Sequence, residues 1–518
     1  MSPVALPDHA PARTLPQLIQ RAGLLGRRPL LTATSASGEE RRVESQDLPD
    51  LVARAAGFLG SRGVGEGMRV GLHFDNEAGL EALLFHLAVQ WLGGVAVPVG
   101  TRASRREARD VLVHAGVSLL LTSGSNRALA SDAAGDSTRV VDCAAGLFAL
   151  VASAPASPPA RVDEGDLADI LYTSGTTGPP KGAEFTHANC IACGMELADA
   201  VGLSDGDTYQ SAIPYFTSTG AHTNPLMTLV ARAHFVLEPR FDQQAAVRRL
   251  ALHETTVYFG VPSMLSLIMR DTDVPAAIPE TLRKVVFGGS TTTAAGIRAL
   301  ASAFPGRGLI NLYGQTEAGP GGTVLGPDDI LEKAGSVGCR GNGPLTEFRV
   351  VRDDDSDANV DEVGEIVLRS PAVMRGYHRN PDETARALRG GWLHTTDLGR
   401  VDADGYLWFV DRRRDLIIRG GFNVSSSEVE AVLREHPGVA DAAVIGTPHD
   451  VLGEDVHAFV VPVSGQLDTA DVVEFARERL ADYKVPRRIE IVDELPRSPM
   501  GKVLKRELEA RHEAAGSG

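Results

Sequence analysis

The residues best suited to chemistry gather first in one short stretch. Residues 171–182 read Leu-Tyr-Thr-Ser-Gly-Thr-Thr-Gly-Pro-Pro-Lys-Gly. Thr173, Ser174, Thr176 and Thr177 supply hydroxyls, Gly175, Gly178 and Gly182 allow a tight turn, and Lys181 carries a positive charge. A Gly-rich turn leaves backbone N–H groups pointing outward, and the hydroxyls add further donors. Together they make a concave donor surface suited to phosphate oxygens. A Walker A loop is excluded, because Lys181 is preceded by Pro180 and followed by Gly182 rather than by a hydroxyl residue.

Four further segments carry polar groups at close spacing. One is Asn311-Leu312-Tyr313-Gly314-Gln315-Thr316-Glu317, and another is Trp392-Leu393-His394-Thr395-Thr396-Asp397-Leu398-Gly399. The third is Asp411-Arg412-Arg413-Arg414-Asp415, continued by Gly420-Gly421-Phe422-Asn423-Val424 and Glu428-Val429-Glu430. The fourth is Pro496-Arg497-Ser498-Pro499-Met500-Gly501-Lys502. Each has an ordinary reading when taken alone. Asp397 could cap a turn, Glu317 could be a solvated carboxylate, the Arg412–Arg414 run could be a wet basic patch, and a lone Lys502 in a tail would usually do nothing. The order of all five is more specific than any one.

In that order the segments resemble the adenylate-forming superfamily of acyl-CoA synthetases, luciferases and peptide-synthetase adenylation domains. Within it the chain is most similar to bacterial fatty-acyl and aryl CoA ligases. The resemblance implies two half-reactions. A carboxylate attacks the α-phosphorus of ATP to give acyl-AMP and pyrophosphate. A thiol, usually that of CoA, then expels AMP. Alternatives within the same chemistry are a carrier-protein thiol or an amine as acceptor, or a small oxyacid such as nitrite as the activated acid. A non-catalytic protein on the same fold is a further alternative, against which the intact Lys502, Asp397 and Glu317 stand.

The resemblance also implies roles. Thr173, Ser174, Gly175, Thr176, Thr177, Gly178 and Lys181 would hold the β- and γ-phosphates. Glu317 would ligate Mg²⁺, and Thr316 would hydrogen-bond the α-phosphate. Tyr313 would stack on adenine, with Asn311, Gly289 and Gly314 beside it. Asp397 and Arg412 would take the ribose. Lys502 would bridge the acid carboxylate and the α-phosphate, where negative charge concentrates. The acid pocket would be lined by Phe216, Thr217, Gly220, Tyr258, Gly260, Gly288, Ser290 and Gly319. Two positions depart from the usual pattern: Thr217 stands where His is common, and Ser426 where Pro is. The hydroxyls of Thr217, Ser218 and Thr219 suggest a polar wall and a short or aryl acid.

The surrounding elements must position these groups. From Gln46 to Ser123, helical and strand-like segments alternate, which predicts a parallel α/β layer. A mostly apolar run, Leu167 to Tyr172, precedes the glycine-rich stretch, and His187 to Val201 has helical spacing. Ala152 to Ala160, rich in Ala, Ser and Pro, reads as a surface linker between lobes. Short closely spaced apolar runs beyond Gly335 predict a β-rich lobe, and a new α+β unit begins after Asp415. The expected architecture is α/β. A large N-terminal domain over 1–411 holds α/β sheet subdomains and the β lobe. A small mobile α+β domain over 412–518 follows, joined by a hinge at 411–415 centred on Arg414.

The chain's 518 residues suggest several domains, and its hydrophobic content of 43% is globular. A formal charge of −16 argues against a nucleic-acid partner. Residues 1–16 lack the pattern of a secretory signal, and no run is long enough for a membrane span. The four cysteines do not form a disulfide framework, so cytoplasmic residence is the expectation, and an oligomer is possible. His187, Cys190 and Cys193 share a helical face, yet read better as buried small side chains than as metal ligands.

Overall fold

The computed structural model describes residues 12–35, 38–135, 137–173, 181–271, 277–290, 292–465, 467–497 and 502–516. The chain separates into two compact units. One is Met1–Phe348 with Leu368–Leu393, and the other is Arg349–Val367 with His394–Gly518. Among the described residues no helix is long and apolar enough to cross a membrane.

The first unit is built on two sheets. A seven-stranded sheet runs Gly376–Tyr377, Lys181–Thr186, Leu167–Thr173, Val95–Pro98, Arg69–His73, Leu119–Thr122, Arg139–Asp142. Its last five strands pair in parallel. Parallel strands are covered on both faces, which is why Val95–Pro98 and Leu119–Thr122 are apolar runs buried at every position. The intervening helix Gly79–Trp91 is buried at every residue but Glu81. Helix Arg105–Ala115 begins where Ser104 and Glu107 exchange hydrogen bonds with each other's backbone. A nine-stranded sheet has a parallel run in the order Gly308–Gly314, Lys284–Gly288, Val257–Gly260, Thr208–Ser211, His234–Leu237, Pro29–Thr34.

One local expectation is refined here and one is corrected. Helix His187–Val201 forms as its spacing predicts, but a strand separates it from the glycine-rich stretch. Lys181 opens an antiparallel strand, Lys181–Thr186, with Thr173 opposite Lys181 and Leu171 opposite Ala183. That strand escapes sequence reading because only Ala183 and Phe185 mark its buried alternation before Thr186 caps the next helix. Ala152–Ala160 does not join separate lobes. It links strands of the same seven-stranded sheet and is pinned across two helices. Ser157 N donates to Ala53 O, Trp91 Nε1 donates to Ser157 O, and Ala160 N donates to Trp91 O.

The second unit holds a four-stranded sheet in the order Glu347–Val351, Gly364–Arg369, Leu393–Val401, Leu407–Arg412. It also holds a sheet in the order Phe422–Ser425, Leu416–Arg419, Gly453–Pro462, Val439–His449, with Arg488–Ile491 alongside Gly453–Pro462. Helices Ser426–Arg434 and Thr469–Arg477 contribute Val429, Leu433, Val472 and Ala476 to a core with Ile417, Val444 and Val456. The boundary expected at 411 falls inside this unit, at the end of strand Leu407–Arg412 and just before the turn 413–415 that joins its two sheets.

Candidate active site

In the first unit, the hairpin Leu167–Thr173/Lys181–Thr186 delivers Lys181 to a carboxylate. Lys181 Nζ donates to Glu383 Oε1 at 2.6 Å and lies 5.3 Å from the centre of the Tyr377 ring. Ser174, Gly175, Thr176, Thr177 and Gly178 lie outside the described residues, as does the Thr173 side chain. Tyr377 OH donates to Glu317 Oε1 at 2.9 Å. Burial, then the Glu317 charge, pushes the Tyr377 phenol well above its ordinary range. Lys181, Tyr377 and Glu317 therefore form one polar surface.

Strand Gly308–Gly314 carries the proposed adenine residues and runs into a 3₁₀ turn, Thr316–Ala318. Asn311 is buried and donates to Ser336 O at 3.4 Å. Gly314 packs so tightly that a Cβ would stand 2.3 Å from Gly321 O. Gly319 ends the turn at φ +70°, and a Cβ there would meet Ala372 O at 2.4 Å, so both conformation and space require glycine. Gly288, Gly289 and the exposed Ser290 leave the end of the neighbouring strand, Lys284–Gly288.

The segment 214–223 is less polar toward a ligand than its sequence suggests. Thr217 Oγ1 donates to Pro214 O at 2.7 Å and accepts from Gly220 N at 3.0 Å. The hydroxyl closes its own turn, with both of its hydrogen-bonding directions used inside the segment. Ser218 Oγ instead stands 2.9 Å from Thr316 Oγ1. A π-helical turn, Thr219–Thr223, then leads into helix Asn224–Ala231, and such turns recur at functional sites. Phe216 is half-buried, whereas Tyr258 is fully buried, with no hydrogen-bond partner for its hydroxyl among the described residues. Gly260 ends the strand that carries Tyr258.

Beneath these elements is a buried network centred on Asp169. Its Oδ1 accepts from His86 Nε2 at 2.8 Å and Gln90 Nε2 at 2.7 Å, and its Oδ2 accepts from His222 Nδ1 at 2.8 Å. His86 Nδ1 is 2.9 Å from Tyr215 OH. Burial alone would raise the Asp169 carboxyl, but the facing His86 and the hydrogen bonds from His222 and His86 hold it well below the usual carboxylate range. The network ties the strand of the glycine-rich stretch to the pocket segment at Tyr215 and His222. Cys190 Sγ lies 3.7 Å from Asp169 Oδ2, so Asp169, Cys190 and His222 have the spacing of a metal set. Asp169 is already taken up by His86, Gln90 and His222, whereas His222 Nε2 is buried with no hydrogen-bond partner among the described residues. His187 takes no part, since its Nδ1 accepts from Leu15 N at 3.3 Å. Cys190 and Cys193 are buried free thiols.

In the second unit, Asp397 stands opposite Arg412 on antiparallel strands, with Arg412 Nε 3.6 Å from Asp397 Oδ1. Thr396, just before it, adopts φ +61°, a strained conformation for a β-branched residue. Glu365 holds it there, accepting from Thr396 N at 2.9 Å, and lies 3.0 Å from His394 Nδ1. Neither Glu365 nor its pairing to His394 stands out in the sequence. Lys502 is exposed, and two residues on, Leu504 N donates to Pro496 O at 2.8 Å. Arg414 sits in the turn between the sheets, its Nε 3.4 Å from Asp415 Oδ1.

Comparisons with known proteins give the family. The family described as AMP-binding enzyme matches residues 24–378, and its C-terminal domain matches residues 428–502. A feruloyl-CoA synthase from Amycolatopsis sp is 36% identical over 469 residues, covering 90% of this chain and 93% of that protein. The o-succinylbenzoate CoA synthetase of Bacillus subtilis, solved with its acyl-adenylate intermediate, superposes with a TM-score of 0.86 at 29% identity, over 95% of this chain and 97% of that one. ATP-bound MatB from Rhodopseudomonas palustris superposes with a TM-score of 0.87 at 30% identity, over 96% and 99%. The match over residues 24–378 alone spans more than half of the chain, so the chain belongs to the adenylate-forming AMP-binding enzyme family.

Proposed function

We propose that this protein is an ATP-dependent acid–CoA ligase whose acid is aromatic. The observation that carries the reading is the extended likeness to the feruloyl-CoA synthase, together with the presence of Lys181, Glu317, Asp397, Arg412 and Lys502 in family order. The acid carboxylate is already ionised at neutral pH, so no general base is needed. Its attack on the α-phosphorus forms the mixed acyl–phosphate anhydride of acyl-AMP and breaks the bond to pyrophosphate. Lys181 and the hydroxyls of the glycine-rich stretch align the leaving phosphates. Thr316 donates to the α-phosphate. Lys502 offsets the charge that develops between acid and phosphorus. The hydroxyls around Lys181 and the Glu317 carboxylate are hard oxygen donors that fit Mg²⁺, which would offset phosphate charge when bound. Asp397 offers two oxygens to the ribose hydroxyls, with Arg412 as donor beside it. A CoA thiol then attacks the acyl carbonyl and AMP leaves. Arg414 is the pivot for the second step, and dependence on ATP and CoA supports cytoplasmic residence.

The test is AMP release with a panel of aryl, short-chain and long-chain acids, with and without CoA. CoA-dependent turnover peaking with aryl acids supports the reading. A peak with long-chain acids overturns the substrate class, and turnover indifferent to CoA overturns the acceptor. Lys502→Ala should slow pyrophosphate release about a hundredfold or more, while pre-formed acyl-AMP still reacts with CoA.

A further inference from the structure

We infer that Glu383 is a built-in competitor of the nucleotide's phosphates for Lys181. This rests on the reading of Lys181 as a phosphate ligand. Lys181 is the only cation in the stretch 171–182, and its ammonium is bound to the Glu383 carboxylate at 2.6 Å. The two side chains are 37% and 26% exposed, so the pair is open enough to exchange partners rather than being a sealed structural bridge.

The carboxylate is held in place independently of Lys181. Glu383 lies in the first turn of helix Pro381–Ala387, where its backbone N–H donates to Asn380 Oδ1 at 3.2 Å. The helix is fastened to the sheet, because Tyr377 N donates to Thr384 Oγ1 at 2.8 Å. Arg386 Nη1 is 3.4 Å from the other Glu383 oxygen, so the carboxylate keeps a partner when Lys181 leaves. Hydrogen bonding from Lys181 holds the Glu383 carboxyl below its ordinary range, so it is ionised at neutral pH.

A fixed anion beside the phosphate lysine has two consequences. Before ATP arrives, it orients Lys181 and occupies the charge that a triphosphate must win. After acyl-AMP forms, it takes Lys181 back and weakens the hold on pyrophosphate, a product that must leave. Glu383 is thus a positioning residue, and its effect belongs to phosphate binding rather than to binding of the acid.

The experiment compares wild type, Glu383→Gln, Glu383→Asp and Lys181→Ala in steady-state kinetics, with pyrophosphate as product inhibitor. In Glu383→Gln the KM for ATP and the inhibition constant for pyrophosphate should both fall, about two- to fivefold, as expected for loss of a partly exposed pair. The KM for the acid should not move with them. Glu383→Asp keeps the charge and should stay nearer wild type. If either phosphate constant is unchanged or rises in Glu383→Gln, the inference is overturned. Lys181→Ala separates this from the underlying assignment: an unchanged KM for ATP there means that Lys181 does not hold phosphate at all.

Discussion

Ser218 Oγ and Thr316 Oγ1 stand 2.9 Å apart, joining the segment that should face the acid to the residue that should face the α-phosphate. A hydroxyl with a fixed partner has a fixed rotamer, and alignment is the main lever in phosphoryl chemistry. Ser218→Ala removes the partner without adding bulk. Pyrophosphate release should slow about three- to tenfold, the range expected for one hydrogen bond worth about 1 kcal/mol. Ser218→Thr should retain most of the rate. Equal rates in wild type and Ser218→Ala would show that Thr316 is aligned by other contacts.

Thr217 invites a different expectation. Its hydroxyl donates to Pro214 O and accepts from Gly220 N, so both its hydrogen-bonding directions serve the backbone turn. Thr217→Val keeps the shape and takes the acceptor from Gly220 N, while Pro214 O keeps the bond from the residue-217 N–H. Unfolding in urea should show a loss of about 1–3 kcal/mol, whereas relative turnover across the acid panel should change little. A shift toward apolar acids with no loss of stability would restore the reading of Thr217 as a substrate contact.

These two hydroxyls show where sequence reading stops. Adjacent residues of the same polar character have opposite duties, and only the folded turn separates them. What was legible came from local signals. Apolar runs such as Leu119–Thr122 mark strands buried on both faces, and the apolar spacing over His187–Val201 marks a helix with those bounds. The facing of Asp397 and Arg412 follows from two motifs on paired strands. What was not legible depends on pairings distant in sequence. Lys181 and Glu383 are 202 positions apart, and Asp169 gathers His86 and His222 from 83 and 53 positions away. Glu383 also lies in a helix of only seven residues, where nothing in the spacing marks it as a site residue.

Glu238 gives a prediction in pH. It is fully buried at the end of strand His234–Leu237, accepts from Gln210 Nε2 at 3.1 Å, and has Arg249 Nη1 3.6 Å away. Burial raises its carboxyl to about 7, against the lowering effects of Gln210 and Arg249. In the unfolded chain a glutamate titrates near ~4.3. The folded state therefore binds the proton more tightly, and the stability this contributes is full below ~4.3 and lost as pH rises through about 7. Glu238→Gln cannot lose that contribution. Relative to wild type, the variant should gain about 1–3 kcal/mol between pH 5 and pH 8 in urea unfolding. A difference that does not depend on pH would mean that Glu238 is already ionised at pH 5.

The last prediction concerns the turn at Arg414, which we propose as the pivot between half-reactions. The strand Leu407–Arg412 ends one sheet and Leu416–Arg419 begins the other, so the residues between them join two separately hydrogen-bonded bodies. The turn is short and anchored on either side. Arg413 N donates to Thr396 O at 2.9 Å, and Asp415 N donates to Arg412 O at 2.9 Å. Just before it, Asp411 is buried and accepts from Ser426 Oγ at 2.8 Å and from Ser427 N at 3.2 Å. Ser426, where a proline is usual, also accepts from Lys505 Nζ at 2.5 Å. The bonds from Ser426 and Ser427 to Asp411 cross the turn and hold the present arrangement, so a rotation at Arg414 must exchange them for others. One arrangement cannot both press Lys502 against the α-phosphate and leave a thiol an open path to the same carbonyl. A hinge needs only a few residues that absorb a dihedral change. Arg414→Pro fixes φ there and removes an N–H. Pyrophosphate release should stay within about twofold of wild type, while thioester formation from pre-formed acyl-AMP should fall about tenfold or more. Rapid-quench measurement of each half-reaction decides the matter. Thioester formation at the wild-type rate would mean that the chain does not pivot at Arg414, and parallel loss of both steps would mean that the substitution damages the fold instead.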